Sequence, residues 1–309
     1  MSSVPRISPG SSAYLGLVLL FCLTWSSAFP IVKFSLAVSP PVLFLGLRFL
    51  LAAVLLLAWA WWRGDLAGLG RGCWGWLFVL GLLNQAGYNG MTWLGMGEVS
   101  SGLATIIISM NPILIAFAAS LVLGEALTLR RFAGLLLGLI GVVIVVRGRM
   151  SGEGEDVGGI ILVTLGLVSL VSGTVLFKRW TPRVSLPALV GGQSLAAGAA
   201  LLATGLIIEN PSQIVVGPNL WVALAYNVFV VSIGAFLLWF LLLRLGSAVS
   251  ASALHFLMPP LGLLFGWALL GEPVLAQDLA GVIPIGIGIW LVTRAQPAVR
   301  TQETASSTA

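Results

Sequence analysis

The chain has 309 residues, 59% hydrophobic and only 8% charged, with a formal net charge of +5. A soluble globular protein carries about 25% charged residues, so this composition excludes a water-soluble domain over most of the length. The surplus Lys and Arg lie between apolar runs and form no basic face, which argues against a nucleic-acid partner.

Ten apolar runs follow one another, over roughly 13–34, 41–62, 74–95, 101–123, 131–148, 157–178, 186–208, 219–243, 248–270 and 276–294. Short connectors with Pro, Gly or charge part them, such as Ser39-Pro40-Pro41, Gly124-Glu125, Thr181-Pro182-Arg183 and Gly271-Glu272-Pro273. The first run follows Arg6 and resembles a secretory leader. It meets no small-x-small cleavage site and stays apolar to Phe34, so it is read as a retained helix. The fourth, from Ser101 to Leu123, carries no charge. At about 1.5 Å per residue it reaches about 34 Å, enough to cross a hydrocarbon core of about 30 Å. The expected fold is therefore an all-α integral membrane protein of ten transmembrane helices. Cys22 and Cys73 lie in or beside apolar runs and set up no disulfide framework. One histidine and no cysteine pair give no metal spacing, and no cofactor is expected.

The fourth run returns as the ninth. A shift of 147 places Pro112 on Pro259 and Leu123-Gly124-Glu125 on Leu270-Gly271-Glu272, with Gly134, Gly141 and Arg147 on Gly281, Gly288 and Arg294. A shift of 145 places Lys33 on Lys178, Arg48 on Gln193 and Trp76 on Trp221. Five helices per copy is an odd number, so the second copy starts from the other side and the repeats are inverted. The division is a tail at 1–12, a first repeat at 13–149, a second at 157–294 and a polar tail at 295–309, ending QETASSTA and read as disordered. With both termini cytoplasmic, Arg6, Arg63, Arg71, Arg130, Arg131, Lys178, Arg179, Arg183, Arg244, Arg294 and Arg300 fall inside and only Lys33, Arg147 and Arg149 outside. That is the charge bias expected of short cytoplasmic loops. Inverted repeats about a midplane site mark secondary transporters, whose halves exchange conformations to open each side in turn. A duplicated structural protein without transport is the competing reading. A membrane enzyme would need a nucleophile–base or metal constellation, which a lone histidine without an intramembrane acid does not supply.

A polar group inside a spanning helix is expensive unless paired, so each is a candidate site residue. In the third run Asn84, Gln85, Tyr88, Asn89 and Thr92 recur at i, i+3, i+4 spacing and fall on one broad face. Amides and a phenol there suit a zwitterionic substrate or a wet cavity. Hydrogen bonds to neighbouring helices, about 0.6–2 kcal/mol each, are the alternative. Phe229 and Ile233 stand at the mirror positions of Asn84 and Tyr88, so the site has one polar and one apolar wall. Pro259 and Pro260 remove the N–H partners of the His255 and Phe256 carbonyls, and Pro112 that of Ile108, beside Asn111. Such breaks expose backbone acceptors and permit bending. Pro112, Pro259 and Pro260 are therefore candidate gating kinks, with Asn111 and His255 as cavity residues. His255 also has the titration range for a proton relay. Trp25, with Ser27 beside it, Trp93 and Trp239 could stack on an aromatic substrate. Trp59, Trp61, Trp62, Trp74 and Trp76 lie near span ends, where an interfacial belt explains them. Arg48 is the one basic residue well inside a run. It could bind a carboxylate, but the lipid-facing Leu and Phe read around it favour a structural role. Glu125 and Glu272, at helix ends, are read as loop-facing or gate-closing contacts. Glycines at 134, 138 and 141 and at 281, 286 and 288 are expected to pack the fifth helix on the tenth, or to form a dimer contact.

Taken together, the two five-helix repeats, Trp25-Ser26-Ser27, Arg48-Phe49, Pro112 followed by Gly124-Glu125-Ala126-Leu127, and the second Pro259 with Gly271-Glu272 resemble the EamA-type members of the drug/metabolite transporter superfamily. The resemblance covers about Tyr14 to Arg294; Pro273 stands where a helix former is expected. It implies a multi-pass inner-membrane exporter of amino acids and other small metabolites, working without ATP. Length, tryptophan content and the polar third helix look like the aromatic amino-acid exporter (YddG-like) subgroup. A multidrug exporter of hydrophobic cations is the runner-up, disfavoured because no acid lies in the middle of any run. The expected partners are a small-molecule substrate and the bilayer, with the protein a monomer or homodimer.

Overall fold

The structure, a computed structural model, describes residues 11–67, 69–99, 101–147, 156–180, 183–270 and 276–293. Both outer tails, Glu272 and Pro273 lie outside the described residues. Among those described, every regular element is helical. In chain order they are α1 (Ser12–Ser26), α2 (Ala28–Leu36), α3 (Pro41–Trp62), α4 (Arg71–Gly81), α5 (Tyr88–Gly95), α6 (Ser101–Ser109), α7 (Asn111–Val122) and α8 (Leu129–Arg147). Then come α9 (Val157–Trp180), α10 (Leu186–Ile208), α11 (Pro218–Tyr226), α12 (Phe236–Leu245), α13 (Ala248–Ala253), α14 (Met258–Leu270) and α15 (Ala276–Thr293). Two π-helical segments, Leu82–Gly87 and Asn227–Ala235, join α4 to α5 and α11 to α12. A 3₁₀ turn, Leu254–Leu257, joins α13 to α14.

Among the described residues, six stretches are long and apolar enough to cross a bilayer: Pro41–Trp62, Leu103–Val122, Leu129–Arg147, Val157–Trp180, Leu186–Ile208 and Pro218–Leu245. Ser12–Ser26 and Leu279–Thr293 are apolar but shorter. The outer faces of the long stretches carry bare Leu121, Ile207, Trp61 and Trp62, the last 81% exposed. Apolar surface on that scale is unfavourable in water and neutral in lipid.

Two antiparallel pairs build the frame, and small residues let their backbones approach. In the first, α3 crosses α10. A Cβ added at Gly46 would lie 2.7 Å from the Leu202 backbone nitrogen, and one at Gly198 would lie 2.7 Å from that of Leu50. In the second, α8 crosses α15. There Gly141 and Gly281 face each other so closely that a Cβ on either would sit 2.6 Å from the other's carbonyl oxygen. Gly134, Gly138 and Gly288 complete that seam. Gly286 does not belong to it, for nothing lies within 4 Å of where its Cβ would be. The reason is periodicity: Gly281 and Gly288 lie two turns apart on one face, and 286 falls off it. Each pair joins a helix from before residue 148 to one from after residue 156.

The interior holds two apolar cores. One gathers residues from α1, α3, α10 and α12, the other from α7, α8, α9 and α13. The 3₁₀ turn serves both. His255 meets the rings of the first, and Phe256 lies on Gly138 of the second. One expectation for α3 is corrected here. Phe44 and Phe49 are fully buried, while Leu51, Val54, Leu55 and the tryptophans at the end of the helix turn outward, because α3 is covered along one side by α10.

Candidate transport site

Aromatic side chains converge on His255. The ring centroid of Trp239 (α12) lies 4.9 Å from the imidazole, at 87°. Trp25 (α1) stands at 5.9 Å and Phe21 (α1) at 6.0 Å, both edge-on. Phe21 stacks on Trp239 at 5.6 Å, and Phe236 closes on Trp25 at 5.3 Å. One imidazole nitrogen is engaged, since Nδ1 lies 3.0 Å from the Ser252 carbonyl oxygen and donates to it. Nε2 is buried and has no partner, and neither has Trp239 Nε1. Three of the sequence-derived candidates, Trp25, Trp239 and His255, are thus brought together. Phe21 joins them without having been singled out, because a Phe in an apolar helix gives no signal. Ser27, at the end of α1, instead accepts a hydrogen bond from the Tyr226 hydroxyl at 2.6 Å.

The polar third run divides. All of Asn84, Gln85, Tyr88, Asn89 and Thr92 are buried, but they do not share one neighbour. The π segment Leu82–Gly87 inserts an extra residue per turn and rotates the residues beyond it. Asn84 Nδ2 donates to Gln193 Oε1 of α10 at 3.3 Å. Asn89 Nδ2 donates to the Gln85 carbonyl at 2.9 Å, while its Oδ1 lies 3.5 Å from an Arg48 nitrogen. Thr92 lies against Gly166 of α9, and Tyr88 is packed in the core that holds Trp25 and Trp239. Gln85 is fully buried with neither Oε1 nor Nε2 partnered. In α7, Asn111 has both side-chain polar atoms in the same state.

Arg48 is 2% exposed. Its Nη1 donates to Asn227 Oδ1 at 3.0 Å, and its guanidinium lies over the rings of Phe49 (4.6 Å) and Trp93 (5.8 Å). Trp93 is therefore spoken for by Arg48 and Phe44 and stands apart from the His255 cluster. Asn227 also donates to Ser35 Oγ and to the Ala223 carbonyl. It opens the second π segment, as Asn84 lies in the first. Two amide contacts thus cross the molecule, Arg48–Asn227 and Asn84–Gln193.

The prolines sit where helices begin. Pro112 is the second residue of α7, and Pro259 and Pro260 lie in the first turn of α14, positions where a missing N–H is least costly. The His255 carbonyl is accordingly not left open, as the spacing suggested. It accepts the Met258 N–H in the 3₁₀ turn, which takes the place of the bond Pro259 cannot make.

Two glutamates hold helix starts at opposite ends. Gly124 adopts φ +68°, and the Leu123 and Glu125 N–H groups both return to the Ala119 carbonyl, closing α7 with a glycine cap. The turn delivers Glu125 to the first turn of α13, where its carboxylate accepts the N–H groups of Ala248 (2.9 Å) and Val249 (3.5 Å). Glu209, just past α10, does the same for α3, accepting from Val42 (2.9 Å) and Leu43 (2.8 Å). Each carboxylate meets the positive end of a helix. Glu209 and Asn227 are absent from the sequence-derived set, although a lone Glu and a lone Asn bordering or inside apolar runs are the signals used for the others.

The architecture is that of a multi-pass helical membrane protein. The EamA-like transporter family matches residues 12–147 and again 157–294. The chain belongs to the EamA-like transporter family, and with it to the membrane transporters of small molecules. It is 31% identical over 278 residues to the uncharacterised transporter YvbV of Bacillus subtilis (strain 168), covering 89% of this chain and 90% of that one. To a probable amino-acid metabolite efflux pump of Salmonella typhimurium (strain LT2) it is 25% identical over 284 residues, 89% and 93% of the two chains. A solved crystal structure shares the fold with a TM-score of 0.78 over 92% of this chain and 98% of its own, at 22% identity.

Proposed function

We propose that this chain exports small zwitterionic metabolites, amino acids with aromatic side chains foremost, across the inner membrane by alternating access. The reading takes ten spanning helices as two inverted repeats, 13–149 and 157–294, with the tails 1–12 and 295–309 in the cytoplasm. The observation that carries it is a set of unpartnered polar atoms in an otherwise apolar interior. Among them are His255 Nε2, beside the rings of Trp25 and Trp239, and the whole amides of Gln85 and Asn111. Buried polar groups are nearly always paired, so those left over call for a ligand. Indole rings suit an aromatic side chain, and amides with an imidazole nitrogen suit an ammonium and a carboxylate. Arg48–Asn227 and Gln193–Asn84 support the inverted repeat, since Arg48 and Gln193 are equivalent under the shift of 145. The breaks before Pro112 and Pro259 are the bending points, and Glu125 and Glu209 are the contacts that close either end. Hydrophobic cations would want a buried carboxylate, and the buried polar residues described include no Asp or Glu.

The test is uptake of labelled amino acids by proteoliposomes holding the purified protein, with and without a pH gradient. Uptake competed by aromatic amino acids is expected. A protein that moves dyes and no amino acid would overturn the substrate assignment. Uptake that requires the gradient makes His255 the first residue to replace, with an unchanged pH dependence in His255→Ala ending its coupling role, and uptake without it makes the protein facilitative.

A further inference from the structure

Bracing the frame does not require a charge at position 48. Arg48 and Gln193 are equivalent under the shift of 145, and each ties its helix to a π segment, Arg48 to Asn227 and Gln193 to Asn84. In one copy a neutral amide makes the contact. In the other a guanidinium makes it, at 2% exposure. Burying a cation without a carboxylate beside it is far more costly than burying an amide. No acid meets this one. α2, α3, α5 and the segment Asn227–Ala235, which surround it, contain no Asp or Glu. The charge therefore asks for a use that Gln193 does not have.

The guanidinium is engaged mainly on one side. Nη1 donates to Asn227 Oδ1 at 3.0 Å, Nη2 stands 3.5 Å from Asn89 Oδ1, and Nε is buried without a partner. Nε and Nη2 form one edge of the planar group, and the two parallel N–H bonds of such an edge match the two oxygens of a carboxylate. One long hydrogen bond to a neutral amide is all that this edge makes. The surroundings are aromatic. Phe49 and Trp93 lie against the cation. Phe49 meets Phe236 edge-on at 6.0 Å, and Phe236 closes on Trp25 at 5.3 Å. Ring contacts thus run unbroken from the guanidinium to the indole beside His255. An anion at the free edge is placed next to the aromatic cluster, in an interior where charge attraction is far stronger than in water.

We propose that Arg48 binds the carboxylate of the transported molecule through Nε and Nη2, while Asn227 holds Nη1, so that a substrate must carry a carboxylate. The identity of the rest of that molecule rests on the export reading above; the carboxylate site does not. The purified full-length protein is titrated with three ligands, and binding is read by the unfolding temperature. L-Phenylalanine has ring, ammonium and carboxylate, L-phenylalaninol lacks the carboxylate, and 3-phenylpropanoate lacks the ammonium. Wild-type protein is expected to bind phenylalanine at least about tenfold more tightly than phenylalaninol, the effect of losing a charge-assisted pair. In Arg48→Gln, which installs the residue already present at the equivalent position 193, that ratio should fall to about one. In Arg48→Lys, which keeps the charge without the fork, it should fall between the two. Each ratio is taken within one protein, so a general loss of stability leaves it unchanged. If neither phenylalanine nor phenylalaninol binds, the amino-acid reading fails. Stabilisation by 3-phenylpropanoate that is lost in Arg48→Gln and weakened in Arg48→Lys then still establishes the carboxylate site. Equal binding of phenylalanine and phenylalaninol by the wild type, or a wild-type ratio in both variants, would overturn the proposal. Where no amino acid binds, so would a 3-phenylpropanoate effect that is absent or does not depend on Arg48.

Discussion

At the scale of single residues, an amide with neither atom hydrogen-bonded is a cost to stability, about 1–3 kcal/mol for each buried orphan group, and Gln85 carries two. Gln85→Leu should therefore raise the unfolding temperature while cutting amino-acid transport at least tenfold. A variant that gains stability and keeps full transport would show Gln85 to be ordinary packing. Arg48 should behave in the opposite sense. Arg48→Ala leaves the Asn227 and Asn89 oxygens without their donor and should destabilise by about 3 kcal/mol. A double-mutant cycle with Asn227→Ala should return a coupling of about 1–2 kcal/mol, and a coupling near zero would sink the strut role. Which side chains are polar, and where along the chain they fall, could be read directly from the sequence. What they touch could not. Asn84 and Asn89 were expected on one face, and the π segment between α4 and α5 turns them towards different helices. Helical spacing assumes 3.6 residues per turn, and no residue type announces a departure from it.

Among elements, the pairing of α8 with α15 was legible because glycines at matching intervals survive in both copies. The pairing of α3 with α10 was not, since its close contacts are Gly against Leu and have no common spacing. The expected effect of a substitution depends on its place along the seam. Gly141→Val forces a branched side chain against the Gly281 carbonyl and should cost about 1–3 kcal/mol by overpacking, read as a lower unfolding temperature and less folded protein in the membrane. Gly286→Val points into open space and should fold as the parent does. Equal damage from both would mean that the seam is wider than the contact between Gly141 and Gly281. The helix breaks were foreseen from Pro112, Pro259 and Pro260, but their form was not. A 3₁₀ turn and a fresh helix start absorb the missing N–H groups, so the prolines open new helices at the breaks rather than kink a continuous one.

For the whole molecule, the two glutamates make a paired prediction. α10 begins beside Arg244 and ends at Glu209, so Glu209 and Glu125 stand a full helix length apart, about 35 Å at 1.5 Å per residue. Removing a carboxylate from a helix start weakens it by about 1 kcal/mol. Glu125→Ala should therefore favour opening at the α13 end and Glu209→Ala at the α3 end, each by about fivefold in population. Alkylation of single cysteines placed near either end, in a background lacking Cys22 and Cys73, measures this. Both variants loosening the same end would remove the two contacts from the closing machinery.

The crossing of Arg48 to Asn227 also sets a schedule for biosynthesis. The ribosome must add every residue between them before the guanidinium meets its amide. At about 5–20 residues per second that wait is on the order of ten seconds or more. Throughout it, α3 must remain in the translocation channel or among lipids with the Arg48 guanidinium lacking its Asn227 acceptor. Neither the Arg48 nor the Gln193 side of the frame can be finished until both matched segments have been made, so quality control of this protein falls late, after most of the chain is already in the membrane.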